Sequence, residues 1–167
     1  LREMFERVER YHRVVSDVMV MELRDVGAVS EMRMLLPAHQ AAPAPEAVDA
    51  FIAIYVRSCR SRLGRDYAPL SVQLRRAAPA DPQPWLETFR APVEFAAKDD
   101  VLRFSRGDLD LPLDDGNPEL VAHNETVLQR RMEALEPRTW VRRLRAAIEQ
   151  RLPNGEPSAE LLAQGMH

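Results

Sequence analysis

Two runs of strand-favouring residues, 18–23 and 29–36, are separated by only RDVGA. Asp25 and Gly27 in that connection are turn chemistry, so the two runs are expected to fold back on each other as a β-hairpin. In the first run Met19, Met21 and Leu23 alternate with Val20, Glu22 and Arg24. That is the period-two pattern of a strand with one half-buried face. A hairpin that buries one face needs helices or further strands to cover it.

The flanking chain supplies both. Residues 2–17 read as a helix with Met4, Phe5, Val8, Tyr11, Val15 and Val18 on one face. The Ala/Pro-rich stretch 37–45 is a loop. Pro45 and Glu46 open a second helix, expected to reach Leu63 and to stop at Gly64. Its broad apolar face of Val48, Phe51, Ile52, Tyr55, Val56, Cys59 and Leu63 suits packing on a sheet. Residues 69–75 predict a third strand, with Leu70, Val72 and Leu74 in alternation. A rigid turn at 79–84 leads to a short helix carrying Trp85 and Phe89. Residues 93–95 and 101–104 predict two more strands around a polar turn of Lys98, Asp99 and Asp100. The stretch 107–116 predicts a loop with Leu109, Leu111 and Leu113 turned inward. This order of elements argues an α+β fold, an antiparallel sheet with helices on one face.

Beyond it, residues 118–136 predict a helix opened by Pro118, with Asp114, Asp115 and Asn117 as capping and turn chemistry. Leu120, Val121, Leu128, Met132 and Leu135 fall at helical spacing, as does Val127, and Asn124 lies among them. A polar residue in such a seam can set register between partners; a place at its wet border is the plainer expectation. A further helix is expected over 139–152, with Val141, Leu144, Ile148 and Leu152 on one stripe. Arg138, Arg142 and Arg145 form a basic stripe, with Arg143 and Arg151 close by. Pro153, Asn154 and Gly155 stop that helix. Pro157, Ser158, Ala159 and Glu160 then open another, with Leu161, Leu162 and Met166 as apolar positions.

A basic amphipathic helix, a Pro/Gly break and then PSAELLAQGMH resemble the opening of the DNA-binding domain of AraC-type transcription regulators. Ser158, Glu160, Ala163 and Met166 match the family's polar, acidic, small and apolar positions, whereas His167 stands where the family often has Gly. The middle of the chain extends the resemblance. Gly64, Asp66, Pro69 and Leu70, then APADPQPW, Phe89, APVEF, LRF and DLDLPL, resemble in order and spacing the effector domain of one AraC-type subgroup, which includes ornithine-type regulators of amino-acid catabolism.

The resemblance implies three parts: an effector-binding domain over 1–117, incomplete at its start, a linker or dimerisation helix over 118–136, and the first helices of a helix-turn-helix domain over 137–167. It implies promoter DNA, a small-molecule effector and a second copy of the chain as partners. Arg138, Arg142, Arg143, Arg145 and Ser158 would meet phosphates, and Leu120, Val121, Asn124, Leu128, Met132 and Leu135 would form the dimer contact. The base-reading helix would follow His167. The alternative is a free-standing α+β ligand-binding or protein-interaction module with no DNA role.

Composition agrees with a regulator and points away from other classes. With 46% apolar and 29% charged residues the chain is ordinary for a globular protein, and 167 residues fit one domain with part of a second. It does not begin with Met, which points to an excised or processed piece. No eighteen-residue apolar run or signal peptide occurs, so no membrane association is expected. A single cysteine suits a reducing cytoplasm. From Pro137 onward five Arg stand against three Glu, which leaves −5 on the first 136 residues of a chain whose net charge is −3.

No phosphate loop, His-Glu metal pattern or nucleophile elbow is present, so no enzyme activity and no cofactor are expected. His12, His39, His123 and His167 are far apart, so no metal site is expected. Asp108, Asp110, Asp114 and Asp115 are expected to cap turns. Cys59, on an apolar helix face, reads as an inert core thiol, and a redox role would need Arg57 or Arg60 to activate it. Tyr11, His12, Phe51, Tyr55 and Cys59 offer ring surfaces with a few polar handles, the mix of a small-molecule site, although plain core packing accounts for them too.

Overall fold

The computed structural model describes residues 1–37, 41–112 and 117–151, and of positions 136–143, 146, 147 and 149–151 the backbone alone. The chain divides into two compact units, Leu1–Asn117 and Pro118–His167.

In the first unit the hairpin forms as expected. Strand β1 (Val20–Val26) pairs antiparallel with β2 (Val29–Leu35), from Val20↔Leu35 to Val26↔Val29. Arg24, Asp25 and Val26 belong to the ladder, so the turn is shorter than expected and consists of Gly27 and Ala28. Gly27 has φ +63°. A two-residue hairpin loop that follows the strand twist needs positive φ at its first position, where a Cβ is costly.

The sheet has five strands in the order β1-β2-β5-β3-β4. Strand β5 (Asp100–Ser105) lies antiparallel between β2 and β3 (Ser71–Gln73). The expectation of a purely antiparallel sheet needs one correction. Strand β4 (Val93–Glu94) pairs parallel with β3, because the short helix α3 (Gln83–Phe89) carries the chain back before β4 begins.

Strand alternation sorts the side chains. Met21, Met32, Met34, Val72, Leu102 and Phe104 are buried on one face. Helices α1 (Arg2–Val15) and α2 (Pro45–Leu63) contribute Phe5, Val48, Ile52, Val56 and Cys59 to the same core. The Phe5 ring lies 4.7 Å from Phe104 and 5.8 Å from Tyr55. Each such fully buried side chain contributes about 1.5–3 kcal/mol. The opposite face carries ions. Glu31 accepts from Arg103 at 2.7 Å and from Arg33 at 3.0 Å, and Arg33 also reaches Asp99 at 2.6 Å. Burial works to raise the Glu31 carboxyl, but the two guanidiniums hold it below its ordinary value.

Two polar contacts tie the helices down. The Arg60 fork donates to the carbonyls of Tyr67 (2.9 Å), Thr88 (2.7 Å) and Phe89 (2.8 Å). It thereby joins the end of α2 to the last carbonyls of α3, which have no partner within their helix. Glu9 of α1 accepts the N–H of Leu23 at 3.1 Å, across from strand β1.

Several apolar positions depart from expectation. Val15 is 74% exposed, because α1 ends there. Leu70 is exposed because the chain bends at that residue and β3 starts after it. Leu109 is buried as expected, but on a short helix, α4 (Arg106–Asp110), whose end leaves Leu111 exposed. Asp110 meets Arg2 and Arg106, and the hydrogen bond from Arg2 holds its carboxyl low. Leu113, Asp114, Asp115 and His39 lie outside the described residues.

The second unit contains α5, one helix over Pro118–Arg151, where two helices, 118–136 and 139–152, were expected. It continues through Pro137. A proline removes one helical hydrogen bond and favours a kink, without having to end the helix. Val121, Glu125, Leu128, Met132 and Leu135 are half-buried, one stripe at helical spacing. Asn124 is exposed, so it lies off the stripe and Glu125 occupies the polar position on it. No helix among the described residues is long and apolar enough to cross a membrane.

Candidate functional site

At one end of the sheet the first unit carries a half-open cavity of about 200 Å³. Met19, before β1, and Met34, of β2, line its floor, with Leu36. Ala42, Pro43, Pro45 and Val48 bring the segment before α2 and its first turn to the wall. Asp49, Arg75, Arg76 and Asp100 supply the polar groups. A mainly apolar hollow with a few convergent polar groups is the usual form of a small-molecule site.

Each polar group is placed by an identifiable backbone feature. Asp100 opens β5 opposite Met34, with the parity of Leu102 and Phe104, so it faces inward. It accepts the N–H of Arg75 at 2.7 Å. Burial raises its carboxyl above the ordinary range, an effect the Arg75 hydrogen bond only partly offsets. The expected polar turn at 98–100 therefore ends one residue earlier, and Asp100 is a buried acid. Arg76 follows β3, and its carbonyl accepts the N–H of Ala96 at 2.8 Å. Ala96 takes φ +55° to make that bond, a conformation costly for a residue with a Cβ. The Arg76 guanidinium pairs with Asp49 of α2, lies 3.7 Å from Glu46, and sits 4.6 Å from the centre of the Trp85 ring.

This cluster is incompletely satisfied. Asp49 Oδ1 and Arg76 Nε are buried and have no hydrogen-bond partner among the described residues. A buried polar atom left so costs about 1–3 kcal/mol, and such atoms collect where a protein does something other than fold.

The residues expected to bind a ligand lie elsewhere. None of Tyr11, His12, Phe51, Tyr55 and Cys59 lines this cavity. Phe51, Tyr55 and Cys59 share one side of α2 and belong to the core cluster or pack against it. Tyr55 is raised by burial. Cys59 is buried and its thiol is pushed up to about 12 by desolvation, which leaves it protonated and unreactive. Tyr11 and His12 are on α1. His12 Nδ1 lies 2.7 Å from the Glu9 carbonyl, which can only accept, so the proton sits on Nδ1. The buried Tyr11 hydroxyl has no partner among the described residues. Sequence reading missed Asp49, Arg76 and Asp100. The only signal for Asp49 and Asp100 is adjacency to buried positions, Val48 and Val101, which many surface acids share, and Arg76, between two exposed residues, has none.

On α5, Leu120 is exposed and Val121, Leu128, Met132 and Leu135 are half-buried. Arg145 is exposed, while Leu144 and Ile148 are half-buried, so the basic and apolar stripes separate as expected at those positions. The side chains of Arg138, Arg142 and Arg143, and the whole of Ser158 with the expected helix around it, lie outside the described residues. Among the described residues no group of His, Cys, Asp and Glu could hold a metal ion.

Residues 1–113 match the family described as the arabinose-binding domain of AraC transcription regulators, N-terminal. That family is one of regulator domains, not of enzymes. Among solved structures the chain is similar to the transcriptional regulator CdpR from Pseudomonas aeruginosa. The TM-score is 0.52 at 14% identity, over 89% of this chain and 49% of that one. At such identity the likeness speaks for the fold alone, and the chain spans about half the length of that regulator. No curated protein matches the sequence.

Proposed function

The chain belongs to the family of the N-terminal arabinose-binding domain of AraC transcription regulators, and from that premise we propose that it is the effector-sensing and dimerising portion of a transcription regulator. The observation that carries this reading is the family match over residues 1–113, and the cavity lies within that stretch. In this reading the cavity at Asp49, Arg76 and Asp100 receives a small-molecule effector. Helix α5 pairs two copies through Val121, Leu128, Met132 and Leu135, with Leu120 and Asn124 at the rim. Tyr11, His12, Phe51, Tyr55 and Cys59 act as packing around the sensor. Arg138, Arg142, Arg143 and Arg145, with Ser158, contact DNA phosphates in the complete regulator. The effector biases a two-state dimer and so moves two DNA-binding heads relative to their half-sites. The compartment is the cytoplasm, where a promoter is within reach.

DNA titrations at three salt concentrations test this, using a protein in which the chain continues into a complete helix-turn-helix. Arg142→Ala is expected to weaken binding to operator and to random DNA by similar factors, because phosphates carry no sequence. It should lower the slope of log K against log salt by about one. Leu144→Asp should unfold the head by placing a charge in its apolar stripe. A protein that never prefers its own promoter to random DNA overturns the regulator reading. An unchanged slope in Arg142→Ala overturns the phosphate role alone.

A further inference from the structure

Ion pairing in the first unit is uneven. Arg2, Arg24, Arg33, Arg76, Arg103 and Arg106 each pair with a carboxylate. Arg57, Arg60, Arg65, Arg75 and Arg90 pair with none among the described residues. All of these but Arg75 gather where α2 and α3 end. The Arg60 fork holds the carbonyls of Thr88 and Phe89, and Arg90, the residue after α3, donates to the Arg65 carbonyl at 3.0 Å. Arg57 lies one turn before Arg60 on α2. Burial, and then the nearby charge of Arg90, hold the Arg60 guanidinium below its ordinary value.

The carbonyls at the two helix ends account for Arg60 and Arg90, since cations suit a helix C-terminus. Arg57 and Arg65 are exposed and have no such bond among the described residues. The acids of the same segments, Asp66 and Glu87, are outnumbered two to one by these four arginines. The corner also carries apolar surface. Ile54 is 56% exposed and lies three residues before Arg57, so the two are neighbours on the helix surface. Leu86 is 38% exposed, and its carbonyl accepts the Arg90 N–H at 2.8 Å. Phosphates call for cations and polar donors, whereas protein interfaces combine arginine with apolar side chains. The net negative charge of the first 136 residues also disfavours a DNA backbone here.

We propose that the corner formed by Arg57, Arg65 and Arg90 with Ile54 and Leu86 docks an acidic segment of a partner protein that also carries apolar side chains.

Fluorescence anisotropy on the 167-residue chain tests this. The probes are a labelled peptide repeating Glu-Glu-Leu-Ala, its counterpart with Gln for Glu, and a random DNA duplex. The acidic peptide is expected to bind at least about fivefold tighter than the Gln peptide. Arg57→Ala with Arg65→Ala should weaken the acidic peptide about fivefold and leave the duplex unchanged. Ile54→Ser with Leu86→Ser should weaken the acidic peptide about as much, through lost apolar contact. All four positions are exposed, so both variants are expected to fold. Arg7→Ala with Arg24→Ala removes the same charge from α1 and β1 and should change nothing. Equal binding of the two peptides overturns the proposal, as does either corner variant that binds the acidic peptide as the parent does. Equal loss in the Arg7, Arg24 variant reduces the effect to net charge and overturns it too. A duplex that loses affinity with Arg57 and Arg65 while the peptide does not makes the corner a phosphate site instead. Self-association of the parent that those two substitutions abolish makes the occupant a second copy, which also ends the proposal.

Discussion

Helices α2 and α5 are both amphipathic in sequence, yet they are used differently. Over nineteen residues α2 buries Val48, Ile52, Val56 and Cys59 almost completely against the sheet. Over thirty-four residues α5 buries none of its described side chains fully. A helix in water is marginal by propensity alone and draws most of its stability from packing one face. For α2 that face is met within its own unit. The stripe of α5 from Val121 to Leu135 stays half-buried, and it is the surface proposed above to meet a second copy. The difference separates a helix whose apolar face is buried within its own unit from one whose described stripe stays partly exposed.

The largest effect should come from Ile52→Ala. Removing a fully buried side chain from α2 is expected to cost about 2–5 kcal/mol, read by urea unfolding. Leu128→Ala in α5 should cost the first unit less than about 0.5 kcal/mol, as surface changes do, and instead weaken self-association in sedimentation equilibrium. Equal destabilisation by the two substitutions, or a parent chain that stays monomeric at high micromolar concentration, would erase the contrast.

Arg60→Ala comes next. It unties α2 from three carbonyls, two of them at the end of α3, and should cost about 1–3 kcal/mol. Arg60→Lys should recover only part of this, because an ammonium cannot present three donors in one plane. Full rescue by Lys would mean that charge, not the fork, holds the end of α2.

The smallest effect is set by pH. Burial raises the Asp100 carboxyl above its ordinary 3.8 in the folded protein, so folding favours the proton. The stabilisation is fully present below that ordinary value and is lost as pH rises through the raised folded value. Asp100→Asn keeps an acceptor for Arg75 N–H and never ionises. It should flatten this part of the stability–pH curve and be more stable than the parent at neutral pH. A variant with the parent's pH dependence would show that Asp100 is solvated when folded.

How much of this was legible beforehand depended on the range of the interaction. The hairpin at Gly27, the bounds of α2 from Pro45 to Leu63, the short helix around Trp85 and the helix start at Pro118 follow from periodicity and turn chemistry, which act over a few residues. So did the burial of Cys59. The family resemblance, read from ordered motifs between Gly64 and residue 113, agrees with the match over residues 1–113. By itself the sequence thus determined most elements of the first unit, their order and the faces they bury, but not the short helix α4 within the loop expected at 107–116, nor the continuity of α5 through Pro137. Strand partners, the parallel entry of β4, and the exposure of Val15, Leu70 and Leu111 depend on where chains end and bend in space, and only the tertiary structure decided them. The cavity belongs there too. Asp49 on α2, Arg76 in the bend after β3 and Asp100 at the start of β5 come from separate parts of the sequence, and each alone looks like an ordinary surface charge. Only packing α2 against the sheet removes water from around them, and that loss of solvent turns three common residues into a candidate site.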